Sequence, residues 1–251
     1  MVGVALMGVS ADLTNVAIGA TDNADGFTPY SVGLSASHCT NLTATGLDID
    51  GGAGAGLLVA SATALLRAGD TPSRIANNVG GGVWIGDTDD TQGAHLQDVL
   101  LDGNGLVGIA VDAQARGVVI EGGEVTNTAQ VMVPANAWVS DGSGEWVYVP
   151  VGSAAIGDGV IWRRGAEVHM DGVTLGGSGR IPMLIDGSVA PGSQLHDVTL
   201  EAGDELTGIV QQTLPGIPAA PPETSGTTPP VQQLDGAPHV IPEWYVPPEP
   251  F

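Results

Sequence analysis

The amino-acid sequence predicts an all-β solenoid, a rod of stacked coils, on three observations. Gly56-Leu57-Leu58-Val59, Gly82-Val83-Trp84-Ile85 and Gly108-Ile109-Ala110-Val111 succeed one another at a constant offset of 26 residues. A repeat of that length marks a unit that cannot bury its apolar face alone and must stack on its neighbours. Within it the apolar positions alternate, Leu57 and Val59, Val83 and Ile85, Ile109 and Val111, which is the period of a pleated strand and not of a helix. A second pattern, apolar, any, Asp/Asn/Gly, Val/Leu, any, Ile/Leu, recurs at Leu13 to Ile18, Ala44 to Ile49, Leu96 to Leu101, Ala115 to Ile120, Met170 to Leu175 and Leu195 to Leu200. A β-sandwich, with turns every 8 to 12 residues or so, leaves the offset unexplained.

The chain opens inside a coil, because Gly3-Val4-Ala5-Leu6 already matches the glycine strand and no polar cap precedes it. Solenoids shield the ends of their core and their free strand edges. The first coil is therefore expected to stack on a partner or to continue from a longer exported protein. Downstream, the third position of the six-residue pattern is Asn15, Gly46, Asp98, Gly117, Gly172 or Asp197. These residue types enter left-handed backbone most readily, and a kink there turns the chain between two strands. Leu47 and Leu57, Val99 and Ile109, and Val173 and Met183 keep a separation of ten, so two short strands per coil hold their register. About eight coils over residues 1–214, spaced by about 4.8 Å, make a rod on the order of 40 Å long.

Two segments depart from the repeat. Between residues 134 and 157, Trp138 and the run Trp146-Val147-Tyr148-Val149 flank Asp141-Gly142-Ser143-Gly144, which reads as a β-hairpin insert with a four-residue loop. Trp146 and Tyr148 fall on one face, where they either stack on a sugar or partner or pack against the wall of the rod. Residues 215–251 hold 11 of the 17 prolines. Such a segment lacks ladder donors and favours extended polyproline geometry, so it is expected to leave the rod as a linker, a tail or a strap. Trp244, Tyr245 and Phe251 near its end favour docking on the last coil.

The run Leu101-Asp102-Gly103-Asn104-Gly105-Leu106-Val107-Gly108-Ile109-Ala110-Val111, with Asn78 and Asn104 at matching turns, resembles the right-handed, single-stranded parallel β-helix repeat proteins of the pectate-lyase-like superfold. The resemblance spans roughly residues 3 to 214. It implies a fold and no single activity, since that superfold includes lyases, glycosidases, epimerases, adhesins and spikes. Its inverting glycosidases carry Asn-Thr-Asp, Asp-Asp, Gly-His-Gly and Arg-Ile-Lys elements, of which only the pair Asp89-Asp90 is present. Beside Asp87 that pair reads as a solvated turn before it reads as a catalytic pair. A pectate-lyase-like mechanism needs acidic calcium ligands and a basic residue on adjacent coils. Arg67, Arg74 and Arg116 share no register, and neither Asp22 and Asp25 nor Asp87, Asp89 and Asp90 complete a calcium loop.

Composition narrows the partners. The chain carries 28 acidic residues against six basic ones, for a formal charge of −22. That charge repels nucleic acid and anionic membrane surfaces, and it keeps an apolar-cored rod soluble. No stretch has membrane-spanning length, and the N-terminus lacks the charge of a signal peptide. Cys39, the single cysteine, permits no intrachain disulfide and reads as a small core residue. His38, His196 and His239 share no ligand spacing, His95 and His169 lie several coils apart, and Gly51 to Gly56 lacks the Lys and helix of a phosphate loop. No catalytic, metal or cofactor residues are therefore assigned.

Trp84 sits between inward Val83 and Ile85, and so points outward in line with Leu58 and Ala110. There it either stacks on carbohydrate or is covered by a loop or by the tail. Trp84, Trp138, Trp146 and Tyr148 are the candidate ligand-binding residues. The favoured reading is a non-catalytic, structural or adhesive module of an exported or cell-surface protein, bacterial in kind, that binds a polysaccharide or a protein. The alternative is a carbohydrate-active enzyme, a polysaccharide lyase or glycoside hydrolase, with its cleft on one face of the rod.

Overall fold

The computed structural model describes residues 2–19, 31–86, 93–113, 115–140, 146–201, 208–214, 216–236 and 239–242, with the backbone alone described at 135–138, 140, 146, 148 and 151. Among them the secondary structure is all β, arranged as a parallel solenoid of about eight coils. Each full coil contributes a strand to three long sheets. Sheet 1 stacks Val2–Met7, Val32–Ser37, Ala55–Ala60, Gly81–Gly86, Leu106–Val111, the second half of Trp146–Arg163, Met183–Asp186, Ile209–Thr213 and Val231–Asp235. Sheet 2 runs from Ser10–Thr14 to Glu223–Ser225, and sheet 3 from Ala17–Ile18 to Thr199–Leu200.

The sequence pattern accounts for this stacking. Inward residues of sheet 1 line up across coils as Val4, Leu34, Leu57, Val83, Ile109, Val160, Met183 and Ile209. Ile18, Ile49, Ile75, Leu101, Val125, Leu175 and Leu200 do the same on sheet 3. Both ladders belong to one continuous core, which also encloses Cys39. Branched aliphatic side chains suit a parallel sheet with its inner face sealed.

Three strands per coil replace the expected two, because the six-residue pattern spans a corner. Its third residue is left-handed in every copy, with φ of 52° at Asn15, 64° at Gly46, 52° at Asp98, 58° at Gly117, 65° at Gly172 and 48° at Asp197. Five of these turn sheet 2 into sheet 3. Gly117 instead leads into Val118–Glu121 of sheet 2, and Gly122, at φ 62°, makes that coil's corner. A second left-handed column, Asn77, Gly103, Asn127 and Gly177, precedes sheet 1.

Beside that column two buried asparagines replace backbone partners between coils. Asn104 Oδ1 accepts from the backbone N–H and the side-chain amide of Asn78, at 3.1 and 3.0 Å, and Asn104 Nδ2 donates to Ile75 O at 2.8 Å. Asn104→Ala is expected to lower unfolding free energy by about 2 kcal/mol in a urea titration, since it orphans a buried donor and a buried carbonyl. A cost under about 0.5 kcal/mol would remove the ladder from the account of stability.

The proline-rich segment does continue the rod, correcting the expectation that it leaves it at residue 215. Glu223–Ser225 pairs with Gln194–His196, and Val231–Asp235 pairs with Ile209–Thr213, both in parallel. The four prolines that flank these two short strands, at 221, 222, 229 and 230, stand outside them, where no ladder donor is needed. The inward column Val111, Trp162, Ile185 then ends in Gln211 and Gln233. Gln211 Nε2 donates to Gly187 O and Ala220 O, at 2.8 and 3.0 Å, and Gln233 Nε2 donates to Gln211 Oε1 at 3.2 Å. Amides thus finish the C-terminal end of the core. At the other end Val4, Leu6, Leu13 and Val16 are only partly buried.

The insert is an antiparallel hairpin, Val131–Ser140 against the first half of Trp146–Arg163, with Trp138 opposite Tyr148 and Ser140 opposite Trp146. It starts three residues earlier than expected, and its tip at 141–145 lies outside the described residues. Ile241–Pro242 pairs with this hairpin at Ala135 and Asn136, so the chain returns as a strap across the outside of sheet 1.

Candidate functional site

Sheet 3 presents its outer face to solvent, and a groove of about 360 Å³ lies on it, lined by Arg74, Leu100, Asp102, Glu124, Thr126 and Glu201 among others. Parallel register sets the residues out in order: Asp48, Arg74, Leu100, Glu124, Thr174 and Thr199 stand side by side on successive coils. Arg74 is held by Asp48 at 3.3 Å and Asp50 at 3.6 Å. Asp102 Oδ1 accepts from Asn127 Nδ2 at 2.8 Å and Thr126 Oγ1 at 3.2 Å, which locks its carboxylate in place. The result is a shelf rich in acceptors, with a short apolar floor at Leu100.

Sheet 1 is closed to ligands over much of its outer face. Leu58, Trp84, Ala110, Ile161, Leu184 and Val210 join a second apolar cluster with Val133 and Ile156 of the hairpin and Ile241 of the strap. Trp84 does point away from the main core, but it is 3% exposed and its Nε1 donates to Gly80 O at 2.9 Å. The exposed ring considered for carbohydrate stacking is therefore corrected: Trp84 is a wall residue. Its indole is worth more sealed under apolar neighbours with its N–H satisfied.

Under the strap lies a buried polar network. Asp158, fully buried on sheet 1, receives both the Nε and Nη2 of Arg180, with Nε to Oδ1 at 2.7 Å. Arg180 Nη1 donates to Val240 O at 2.9 Å. Gln212 holds the next residue along: its Nε2 donates to Asp186 and to His239 O, and its Oε1 accepts from His239 N. Burial pushes the Asp158 carboxyl up, against the pull of Arg180, and burial together with Arg180 pushes the His239 imidazole down.

No protein-family model, curated protein or solved structure matches this chain. Its chemistry has to be read from these side chains. A general acid needs a raised pKa and access to substrate. Asp158 has the first and lacks the second, and its partners form a structural latch.

The remaining candidates fall out as follows. Trp138, Trp146 and Tyr148 lie on the hairpin strands at the pairings given above. Asp22, Asp25, Asp87, Asp89 and Asp90 lie outside the described residues, as do Trp244, Tyr245 and Phe251. Arg67 is on sheet 2, Arg74 on sheet 3 and Arg116 in the connection just before Val118–Glu121, so the three share no register. Sequence reading missed the sheet 3 shelf and a cluster of Asp171, His196 and Asp197 on neighbouring coils. Both gather residues about one coil apart, which a local motif search does not compare.

Proposed function

We propose that this chain is a non-catalytic β-helix module of an exported or cell-surface protein, a structural and adhesive scaffold whose sheet 3 shelf holds a neutral, hydroxyl-rich glycan. The shelf itself carries the reading. Its carboxylates and side-chain amide accept and donate hydrogen bonds suited to sugar hydroxyls, and it runs across several coils as a polymer would. A charge of −22 disfavours uronate chains and nucleic acid. The hairpin residues Trp138, Trp146 and Tyr148 supply a second contact in this reading. Stacking of further β-structure on the partly buried first coil belongs to it too; a monodisperse monomer in light scattering would count against that part.

Affinity electrophoresis in neutral polysaccharide gels, run beside a reducing-sugar release assay, tests the proposal. Glu124→Ala is expected to weaken retardation about tenfold, the loss of one charge-assisted bond, while Arg67→Ala on sheet 2 leaves it unchanged. Equal retardation of both variants and the native chain would remove the shelf as the site. A carbohydrate-active enzyme is the second reading, favoured by Asp102, Glu124, Glu201 and Arg74 sharing one groove. Release of reducing ends, lost in Glu124→Ala, would replace the first reading with it.

A further inference from the structure

We propose that Asp171, His196 and Asp197 form a binding site for a divalent transition ion of the zinc class, on the corner between sheets 2 and 3 near the C-terminal end of the rod. The ligand atoms of the three residues all lie within 4.8 Å of one another. Parallel register brings them together: Asp171 ends one sheet 2 strand and is the direct neighbour of His196 on the next coil. Asp197 follows at the left-handed corner, with Oδ2 3.2 Å from His196 Nε2.

The histidine makes this more than a patch of surface carboxylates. Its Nδ1 is engaged by Ser225 Oγ at 2.9 Å, one coil further on, which fixes the ring and turns Nε2 toward the carboxylates. In the tautomer with the proton on Nδ1, donated to Ser225 Oγ, Nε2 turns its lone pair to the side of Asp197 Oδ2, where one ion can take both. An orienting partner on the second ring nitrogen is the usual support of a metal-bound imidazole. Donors held about 2.0–2.1 Å from one tetrahedral ion stand about 3.4 Å apart, close to the observed separation of His196 Nε2 and Asp197 Oδ2.

Thr227 holds Asp197 in place, its backbone N–H and hydroxyl donating to Oδ1 at 2.8 and 3.1 Å, which leaves Oδ2 for the ion. Asp171, exposed and directly beside His196 on the neighbouring coil, supplies the third ligand. Three protein ligands and a water make an open tetrahedral site. One nitrogen with two carboxylates selects zinc, nickel or cobalt over calcium and magnesium, which take oxygen alone. The ion would tie the coils of Asp171 and His196 directly, and the Glu223–Ser225 coil through Ser225.

The test uses the full chain freed of metal with chelator, then titrated with Zn²⁺ by calorimetry and with Co²⁺ by visible absorption. One site per chain is expected, with cobalt bands of a four-coordinate N,O centre. His196→Ala should abolish the site, Asp171→Asn should weaken it at least tenfold and Ser225→Ala about tenfold. Metal-free melting temperatures of the exposed variant Asp171→Asn and of the native chain should agree, which separates loss of a ligand from loss of fold. Absence of saturable binding in the native chain, or the same affinity and spectrum in His196→Ala, would overturn the assignment.

Discussion

Gly82→Ala is expected to cost about 3 kcal/mol, at the upper end for an overpacked core, although it adds a single methyl group. A Cβ at residue 82 would stand 2.5 Å from Gly108 O of the next coil and 2.6 Å from Leu101 Cδ2. The obstruction is backbone, so no rotamer change relieves it, and adjacent coils must separate. The same holds along the column, where Cβ atoms at Gly56 and Gly108 would meet the carbonyls of Gly82 and Gly159 at 3.0 and 2.6 Å. These glycines are required for close approach and not for a left-handed turn. Stability in a solenoid is carried by coupling between neighbouring repeats. Urea unfolding of Gly82→Ala should therefore also lose cooperativity, with the coils before and after residue 82 melting apart. Gly19→Ala is the control, because among the described residues nothing lies within 4 Å of its Cβ; it is expected to be neutral or slightly stabilising. Equal stability of the two variants would break the argument from close approach.

Arg180→Met is expected to cost about 3–5 kcal/mol at neutral pH, since it strands the Asp158 carboxylate in the protein interior without its partner. The loss should depend on pH. Asp158 already has a folded-state pKa above its ordinary 3.8, so its contribution favours the folded state below that value and drains as pH rises through the folded pKa. Removing Arg180 deletes the two largest influences that lower that pKa. The difference between variant and native chain should then be greatest near neutrality and shrink toward pH 4 and below, where Asp158 is protonated in both. The double variant Asp158→Leu with Arg180→Met should recover much of the loss. Because Arg180 also holds Val240 O, limited proteolysis beyond residue 236 should quicken in Arg180→Met. A pH-independent loss would mean that packing of the arginine stem, and not the buried charge, is what the strap depends on.

Local residue choice made much of the architecture readable. Alternating aliphatic residues at an offset of 26 specify strands that stack in parallel, and Asn15, Asp98 and Asp197 mark corners because few side chains tolerate left-handed backbone. Where the reading slipped, the cause was also local. Ala115 to Ile120 satisfies the corner pattern one strand early, since Gly117 is left-handed for a different turn. The prolines of residues 215–230 masked two short strands, whose proline-free cores, Glu223–Ser225 and Val231–Asp235, add a coil.

The candidate sites were far less legible. Strand alternation alone turns Trp84 outward, correctly, but leaves open whether the ring is exposed or covered. What buries it is a second apolar layer that includes Val133, Ile156 and Ile241, brought in from the insert and the strap. The Arg180–Asp158 latch and the Asp171–His196 pair join residues 22 and 25 positions apart, with no motif to announce them.

The sequence by itself determined that this chain stacks coils, the 26-residue length of the regular ones, and most of the corners between sheets 2 and 3. Those are properties of nearest neighbours along a strand, set by side-chain alternation and by the few residue types that accept positive φ. Tertiary structure alone decided which face is sealed, where the core ends in amides, and which carboxylates, histidine and arginine come within reach of one another. Stacking converts an offset of one coil into a separation of about 4.8 Å, so chemistry in this molecule is assembled across coils and not along the chain.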